Sequence, residues 1–286
     1  MADAKKIAQR IDGKAIAEEI LLALKRNVAA LPKPPGLAAV LIGDDPASTL
    51  YVRNKKRACQ RVGIMFHEYL CNGRCMPNTT QAQVLEAIAF LNRDPEITGI
   101  IIQLPVPKGF SADALVSAVD PKKDVDGFHP VNIAKYLAGK PVIVSPLIRA
   151  VERALAAETV KLEGSTVTIL AKDSILRKTL GKFLVDAGAH VVVAAPRDPD
   201  LAQKTKSSDV IISAVGKPGI VTGTLLKPDA VVIDVGITRM PDSTYAGDAD
   251  ATSVEKVAAA YTPTPGGIGP ITVAMLLENV YELAIT

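Results

Sequence analysis

Cysteine, net charge and long apolar runs are all scarce in this 286-residue chain. Cys59, Cys71 and Cys75 are odd in number, and their spacings match no zinc pattern, so they read as thiols in a reducing compartment. A redox pair of Cys71 and Cys75 is the alternative. The 33 basic and 30 acidic side chains leave a net charge of +3 spread along the sequence. That balance suits small anionic ligands and gives no electrostatic footprint for nucleic acid. No apolar run approaches the length of a transmembrane helix. The opening "MADAKKIAQRIDG" has no apolar stretch after its charges, so no secretory signal is expected and the protein is read as cytoplasmic.

What the chain does have is alternation. "AIAEEILLALKRNVAAL", "ASTLYVRNKKRACQRVG" and "TTQAQVLEAIAFLNRD" carry helical periodicity, the last with a threonine suited to capping. Between and after them, "GLAAVLIG", "IMFHEYLC" and "GIIIQLPVP" read as strands. This predicts an α/β fold with a mostly parallel sheet and helices on both faces. A second set follows "GKPVIVSP": helix "PLIRAVERALAAE", strand "STVTILA", a helix around Leu180, and strands "HVVVAAP", "DVIISAVG" and "AVVIDVGI". These predict a smaller, Rossmann-like sheet of dinucleotide-binding type. With 286 residues there is room for two cores, and the boundary is placed near residue 146.

Several residues carry chemistry. Tyr51 and Lys55 lie four apart on a predicted helix and so share a face. A lysine desolvated in a cleft has its pKa lowered, and the neutral amine can then act as a base. Gln103 sits at the carboxyl end of a strand, where ligands of open α/β sheets bind, ahead of the stiffening Pro105 and Pro107. Asp124 and Asp126 are two apart, but no histidine or third carboxylate completes a metal site. A single carboxylate there suits two parallel N–H bonds from a heterocycle, and His129 reads as structural. In "TPTPGGIGPIT" three prolines and three glycines fall within residues 263–270. Gly266 and Gly267 would let main chain approach a flat ligand, and Pro270 suits the first turn of a closing helix.

Together, "DPASTLYVRNKKRACQRVGI", "GIIIQLPVPKGF", "KKDVDGFHPVN", "AVGKPG", "AVVIDVGI" and "TPTPGGIGPITVAMLLEN" resemble, in order and over nearly the whole chain, the bifunctional methylenetetrahydrofolate dehydrogenase/methenyltetrahydrofolate cyclohydrolase family. The resemblance implies NADP-dependent oxidation of 5,10-methylenetetrahydrofolate, hydrolysis of the product to 10-formyltetrahydrofolate, and a place in one-carbon metabolism and purine biosynthesis. It implies an N-terminal catalytic domain (1–145, joined by the closing helix 270–286), a Rossmann-like domain (146–269), a substrate cleft between them, and a homodimer formed through the second domain. It also assigns Lys55 as the catalytic lysine, supported by Tyr51 and Gln103, with Asp126 anchoring the pterin and Pro265, Gly266 and Gly267 bordering the substrate. Ala171, Lys172, Asp173, Ser174, Arg197, Val215, Gly216, Ile237 and Gly269 fall at the nucleotide.

One region departs from the pattern. Where the family has Gly-Arg-Ser and then Gly-x-Pro after the first strand of the second domain, this chain has Ala171, Lys172 and Asp173, then Arg177 and Thr179. The family's Cys-His-Ser is replaced by Ala194-Ala195-Pro196, although Arg197 could meet a 2′-phosphate, and "VSPLI" (144–148) lacks another glycine. A β-carbon at a position needing positive φ costs about 1–2 kcal/mol. A carboxylate near a dinucleotide phosphate repels it, while Lys172, Arg177 and Lys178 offset part of that. Weakened NADP binding is therefore expected. Cyclohydrolase activity alone and a silent folate-binding protein remain alternatives, as does an unrelated nicotinamide dehydrogenase, which the missing glycines and Asp126 oppose.

Overall fold

The structure, a computed structural model, describes residues 7–71 and 79–286, the side chain of Cys71 excepted. Cys75 and the first six residues lie outside them, so the proposed Cys71–Cys75 pair and the start of the amino-terminal reading do too. In chain order the elements begin with β1 (Gln9–Arg10), α1 (Gly13–Ala29), β2 (Gly36–Ile42), α2 (Pro46–Val62), β3 (Met65–Cys71), α3 (Gln81–Arg93), β4 (Gly99–Ile102), α4 (Ala112–Ser117) and α5 (Pro130–Leu137). They continue with α6 (Pro146–Ala157), β5 (Thr166–Ala171), α7 (Ser174–Asp186), β6 (His190–Ala194), α8 (Leu201–Lys206), β7 (Val210–Ala214) and β8 (Val231–Asp234). The short β9 (Thr238–Arg239) and β10 (Tyr245–Ala246), α9 (Ala251–Val254), β11 (Ala260–Tyr261) and α10 (Ile268–Ala284) complete the chain. Two compact units result: Glu18–Pro146 with Val273–Thr286, and Leu147–Thr272 with the segment through Ala17.

The first unit holds a parallel sheet in the order β3-β2-β4. Every residue of β2 is buried, which is why "GLAAVLI" reads as an unbroken apolar run and not an alternating one. The edge strand β3 is half-exposed. The core packs Val40 and Ile42 with Ile100 and Ile102 against Val84, Ile88 and Leu91 of α3. A full capping box between Thr80 and Gln83 starts α3. Asp45 caps α2 by accepting from the Ser48 N–H at 2.7 Å, with Pro46 at the first helical position; Gly63, at φ +86°, ends that helix. Each such cap contributes about 1 kcal/mol.

In the second unit the strand order is β1-β11-β8-β7-β5-β6, with every neighbouring pair parallel. The chain leaves β5 to one side for β6 and returns to the other side for β7, so the sheet's switch point lies between β5 and β7. Ligands of open α/β sheets bind outside the carboxyl ends of the strands at such a point. Two expectations need correction. The sheet is not small: six strands pair, because the two-residue β1 and β11 extend it beyond β8. The amino-terminal segment, placed in the first domain on sequence grounds, instead joins this sheet. β1 pairs with the edge of β11 opposite β8, Ala8 enters the unit's core, and Ile11 is fully buried.

Candidate functional site

On α2 the buried face runs through Ser48, Val52, Cys59 and Val62. Lys55 falls on the same stripe, three residues after Val52 and four before Cys59, so it is half-buried although ionisable. Tyr51, also half-buried, lies one turn earlier on that face. Gln103 is the first residue beyond β4; its N–H donates to Val40 O at 2.9 Å, and the side chain is buried. Lys55 Nζ donates to Gln103 Oε1 at 3.0 Å, while Gln103 Nε2 donates to Leu104 O at 2.7 Å. The amide is therefore fixed at both ends, with its oxygen turned to the lysine.

Asp126 reaches the same region by a different route. The segment carrying it docks beside β4, with Ile100 N donating to Lys123 O at 2.7 Å and a parallel bridge between Ile100 and Asp124. Two residues beyond that bridge stand Asp126 on one side and Ile102 on the other, with Gln103 next after Ile102. Asp124 locks the turn that follows. Its oxygens accept from the N–H groups of Gly127, Phe128 and His129 at 3.0, 3.3 and 2.8 Å, and from Asn132 Nδ2 at 2.9 Å. The preceding Val125 carbonyl accepts from the fully buried Asn279 of α10 at 2.8 Å; Asn279 also donates to Val144 O at 2.9 Å. Gly99 is required here, since a β-carbon on it would lie 2.5 Å from Val125 Cγ1. His129 is spent locally, accepting from Val131 N–H at 3.1 Å through Nδ1 and facing Ser117 O at 3.2 Å through Nε2.

Electrostatics push the acid and the base the same way, toward neutrality. Burial lowers the Lys55 pKa, and the charge of Asp126 opposes it. Burial raises the Asp126 carboxyl to about 6, with Lys55 opposing and Asp124 adding to the rise. Beneath them burial pushes the Cys59 thiol up to about 12. Ser48 Oγ, two turns before Lys55 and buried, has no hydrogen-bond partner among the described residues. An orphaned buried hydroxyl calls for an explanation, and a ligand's polar atom is one. Sequence reasoning missed Ser48, Asp124's clamp and Asn279. Of these only Ser48 carried a signal, its place on the Val52–Lys55 stripe.

In the second unit most of the sequence-assigned nucleotide residues stand at the carboxyl exits of β5, β6 and β7. Leu170 pairs with Ala194 and Ala171 with Ala214, so the exits of β5, β6 and β7 lie side by side. Lys172, Asp173 and Ser174 are exposed in the first of these exits, Arg197 in the second, and Val215 and Gly216 form the third. Gly216, at φ +69°, has open space where a β-carbon would stand. Ile237 is exposed just past Gly236. The strain expected at the altered turn does not arise, because neither Ala171 nor Arg177 takes a positive φ; Asp173, at φ −70° and ψ 128°, caps α7 by accepting from Leu176 N–H at 2.7 Å. The glycine-rich segment divides its work. Gly266 needs its φ of +107°, and Gly269 faces open space. Gly267 serves the chain's own packing, because a β-carbon there would lie 2.6 Å from Pro263 O, and its carbonyl occupies the place of a side chain on Gly13.

The residues present fit a dinucleotide with an unusual phosphate end. A parallel sheet with a switch point, an open Gly216 and an arginine after the second strand meet the general requirement, and arginine at that position suits a 2′-phosphate. The first turn offers cationic side chains in place of bare backbone.

The comparisons agree with this geometry. Residues 11–126 match the tetrahydrofolate dehydrogenase/cyclohydrolase catalytic domain, and residues 146–286 match the NAD(P)-binding domain of the same family. A bifunctional protein FolD from Bordetella petrii is 43% identical over 97% of this chain and 94% of its own. The crystal structure of the Campylobacter jejuni FolD methylenetetrahydrofolate dehydrogenase/cyclohydrolase superposes with a TM-score of 0.92 at 35% identity, over 97% of this chain and 99% of that one. The Trypanosoma brucei dehydrogenase-cyclohydrolase, complexed with NADP and an inhibitor, gives 0.91 at 32% identity, over 97% of both chains. With both halves of the sequence matched by its two domain models, this chain belongs to the tetrahydrofolate dehydrogenase/cyclohydrolase family.

Proposed function

We propose that the protein is a bifunctional enzyme that oxidises 5,10-methylenetetrahydrofolate with NADP and hydrolyses the 5,10-methenyl product to 10-formyltetrahydrofolate. The observation that carries the hydrolytic half is the Lys55–Gln103 contact of 3.0 Å on a half-buried face, with Asp126 electrostatically coupled to the lysine. The methenyl substrate carries a cationic amidinium carbon. A lysine ammonium about 4 Å from it would cost roughly 4 kcal/mol at an effective dielectric near 20. Burial of Lys55 favours the neutral amine, which can take a proton from the attacking water while Gln103 Oε1 keeps Nζ in place. Water adds to the carbon, one C–N bond opens, and one proton is released. Asp126, ionised above about pH 6, accepts paired N–H bonds from the pterin, and Tyr51 lines the same face.

NADP, when bound, accepts a hydride from the methylene carbon. Ala171–Ser174, Arg197, Val215, Gly216, Ile237 and Gly269 are assigned to hold it. Arg197 takes the 2′-phosphate, and Lys172, Arg177 and Lys178 take the charge that a glycine loop would otherwise cradle. Pro265 and Gly266 are assigned to the substrate. We also infer a homodimer, supported by β6, which ends the six-stranded sheet and leaves Val193 43% exposed, and a cytoplasmic location. Among the described residues no helix is long and apolar enough to cross a membrane. Paired assays on one preparation test the reading: NADPH formation from methylenetetrahydrofolate, and loss of methenyltetrahydrofolate absorbance. Both activities are expected. Hydrolysis with neither oxidation nor detectable NADP binding would reduce the enzyme to a cyclohydrolase, and the absence of both activities would leave a silent binder.

A further inference from the structure

Two buried carboxylates at the carboxyl edge of the six-stranded sheet take no part in the sites described so far. Asp234 ends β8 and is 3% exposed; Asp248, in the loop after β10, is fully buried. Asp248 Oδ2 accepts from Ser213 Oγ at 2.7 Å and Val215 N–H at 2.6 Å, and Oδ1 accepts from Lys217 N–H at 2.8 Å. Asp234 Oδ1 accepts from Gly236 N–H at 2.8 Å and from the N–H of Asp248 itself at 3.0 Å, and Oδ2 accepts from Ala249 N–H at 2.9 Å. The bracing is reciprocal. A β-carbon on Gly236 would meet Asp248 Cγ at 2.2 Å, and one on Gly247 would meet Asp234 Oδ2 at 2.0 Å. Each carboxylate thus packs into the space of a glycine beside the other.

We propose that Asp234 and Asp248 form a clasp that positions the Val215–Lys217 exit of β7 and the Gly236 turn of β8, making both aspartates positioning residues for the oxidation step. This rests on the NADP-dependent reading above. In a doubly wound sheet each half binds one mononucleotide at its strand exits, so the exits of β7 and β8 border the end of the dinucleotide opposite β5 and β6. The ladder between β7 and β8 stops at the Ser213–Asp234 pair, and the clasp begins there and carries the alignment outward. Every group facing the two carboxylates in these bonds is an N–H or O–H donor. An asparagine amide nitrogen would therefore confront donors and push one loop away. Burial raises the Asp234 carboxyl to about 6 even against three N–H groups. A buried charge carried at such a cost is better explained by what it positions than by stability.

The test is Asp248→Asn in the full chain, followed by both activities and the thermal midpoint. The kcat/KM for NADP-dependent oxidation is expected to fall at least tenfold, with methenyltetrahydrofolate hydrolysis changing less than twofold. Oxidation within twofold of the parent would overturn the proposal, as would an equal fall in both activities, which marks a purely structural role. Should Asp248→Asn not fold, Ser213→Ala removes a single donor and is expected to lower oxidation about threefold while sparing hydrolysis; no change in oxidation overturns the clasp. Absence of oxidation in the unsubstituted chain would refute the NADP reading and the clasp's role together, and is told apart because it precedes any substitution.

Discussion

Asp173 makes a quantitative prediction about cofactor affinity. Its carboxylate caps α7 at 2.7 Å from the Leu176 N–H, at the turn where a dinucleotide's phosphates are expected. A phosphate charge brought to about 5 Å would be repelled by about 1 kcal/mol in water-like surroundings and about 3 kcal/mol at an effective dielectric near 20. Asp173 is exposed, so the lower figure governs. Serine caps a helix about as well as aspartate, so Asp173→Ser removes the charge and leaves the helix start intact. Calorimetric titration with NADP should then show a roughly fivefold lower Kd at low salt, with the thermal midpoint nearly unchanged. The gain should vanish near 1 M salt, where the screening length falls to about 3 Å. Unchanged or weaker binding in the variant would refute the reasoning, because it would mean the cap stands in the cofactor's favour or away from its phosphates.

Two further outcomes follow from the first unit. Gln103→Leu deprives Lys55 Nζ of its carbonyl acceptor, a loss of about 1–3 kcal/mol, so hydrolysis should slow about 5- to 150-fold by absorbance assay, with fold stability retained. Asp126→Asn should raise the unfolding free energy at pH 7.5 by about 1–3 kcal/mol while weakening folate binding. The sign follows from a carboxyl raised from 3.8 to about 6: the folded chain holds its proton more tightly, so ionisation makes native Asp126 destabilising as pH rises through that window. The variant's advantage in denaturant melts should therefore disappear below about pH 4.

The sequence displayed this site unevenly. Lys55 was singled out because it lies four residues from Tyr51 on one helix face, Gln103 because it ends a strand, and Asp126 through its place in a motif resembling the family's. The residues that hold them were not. Asn279 reaches Val125 across 154 positions, and Asp248 reaches Ser213 across 35; no local periodicity reports such contacts. β1 escaped for another reason, since two residues have no period and pair only because β11 offers an edge. At the phosphate turn, the resemblance led to an expectation of strain where the backbone simply takes an extended-to-helix path. Asp173 resolves that turn by capping, which composition alone does not reveal.

The proposed hydrolysis rests on Lys55, whose burial favours the neutral amine beside a fixed amide. Turnover of methenyltetrahydrofolate by Lys55→Met, beside the unsubstituted chain, tests it most directly. A loss of at least a hundredfold is expected, with the folded state intact by circular dichroism. Hydrolysis at the parent rate would contradict it.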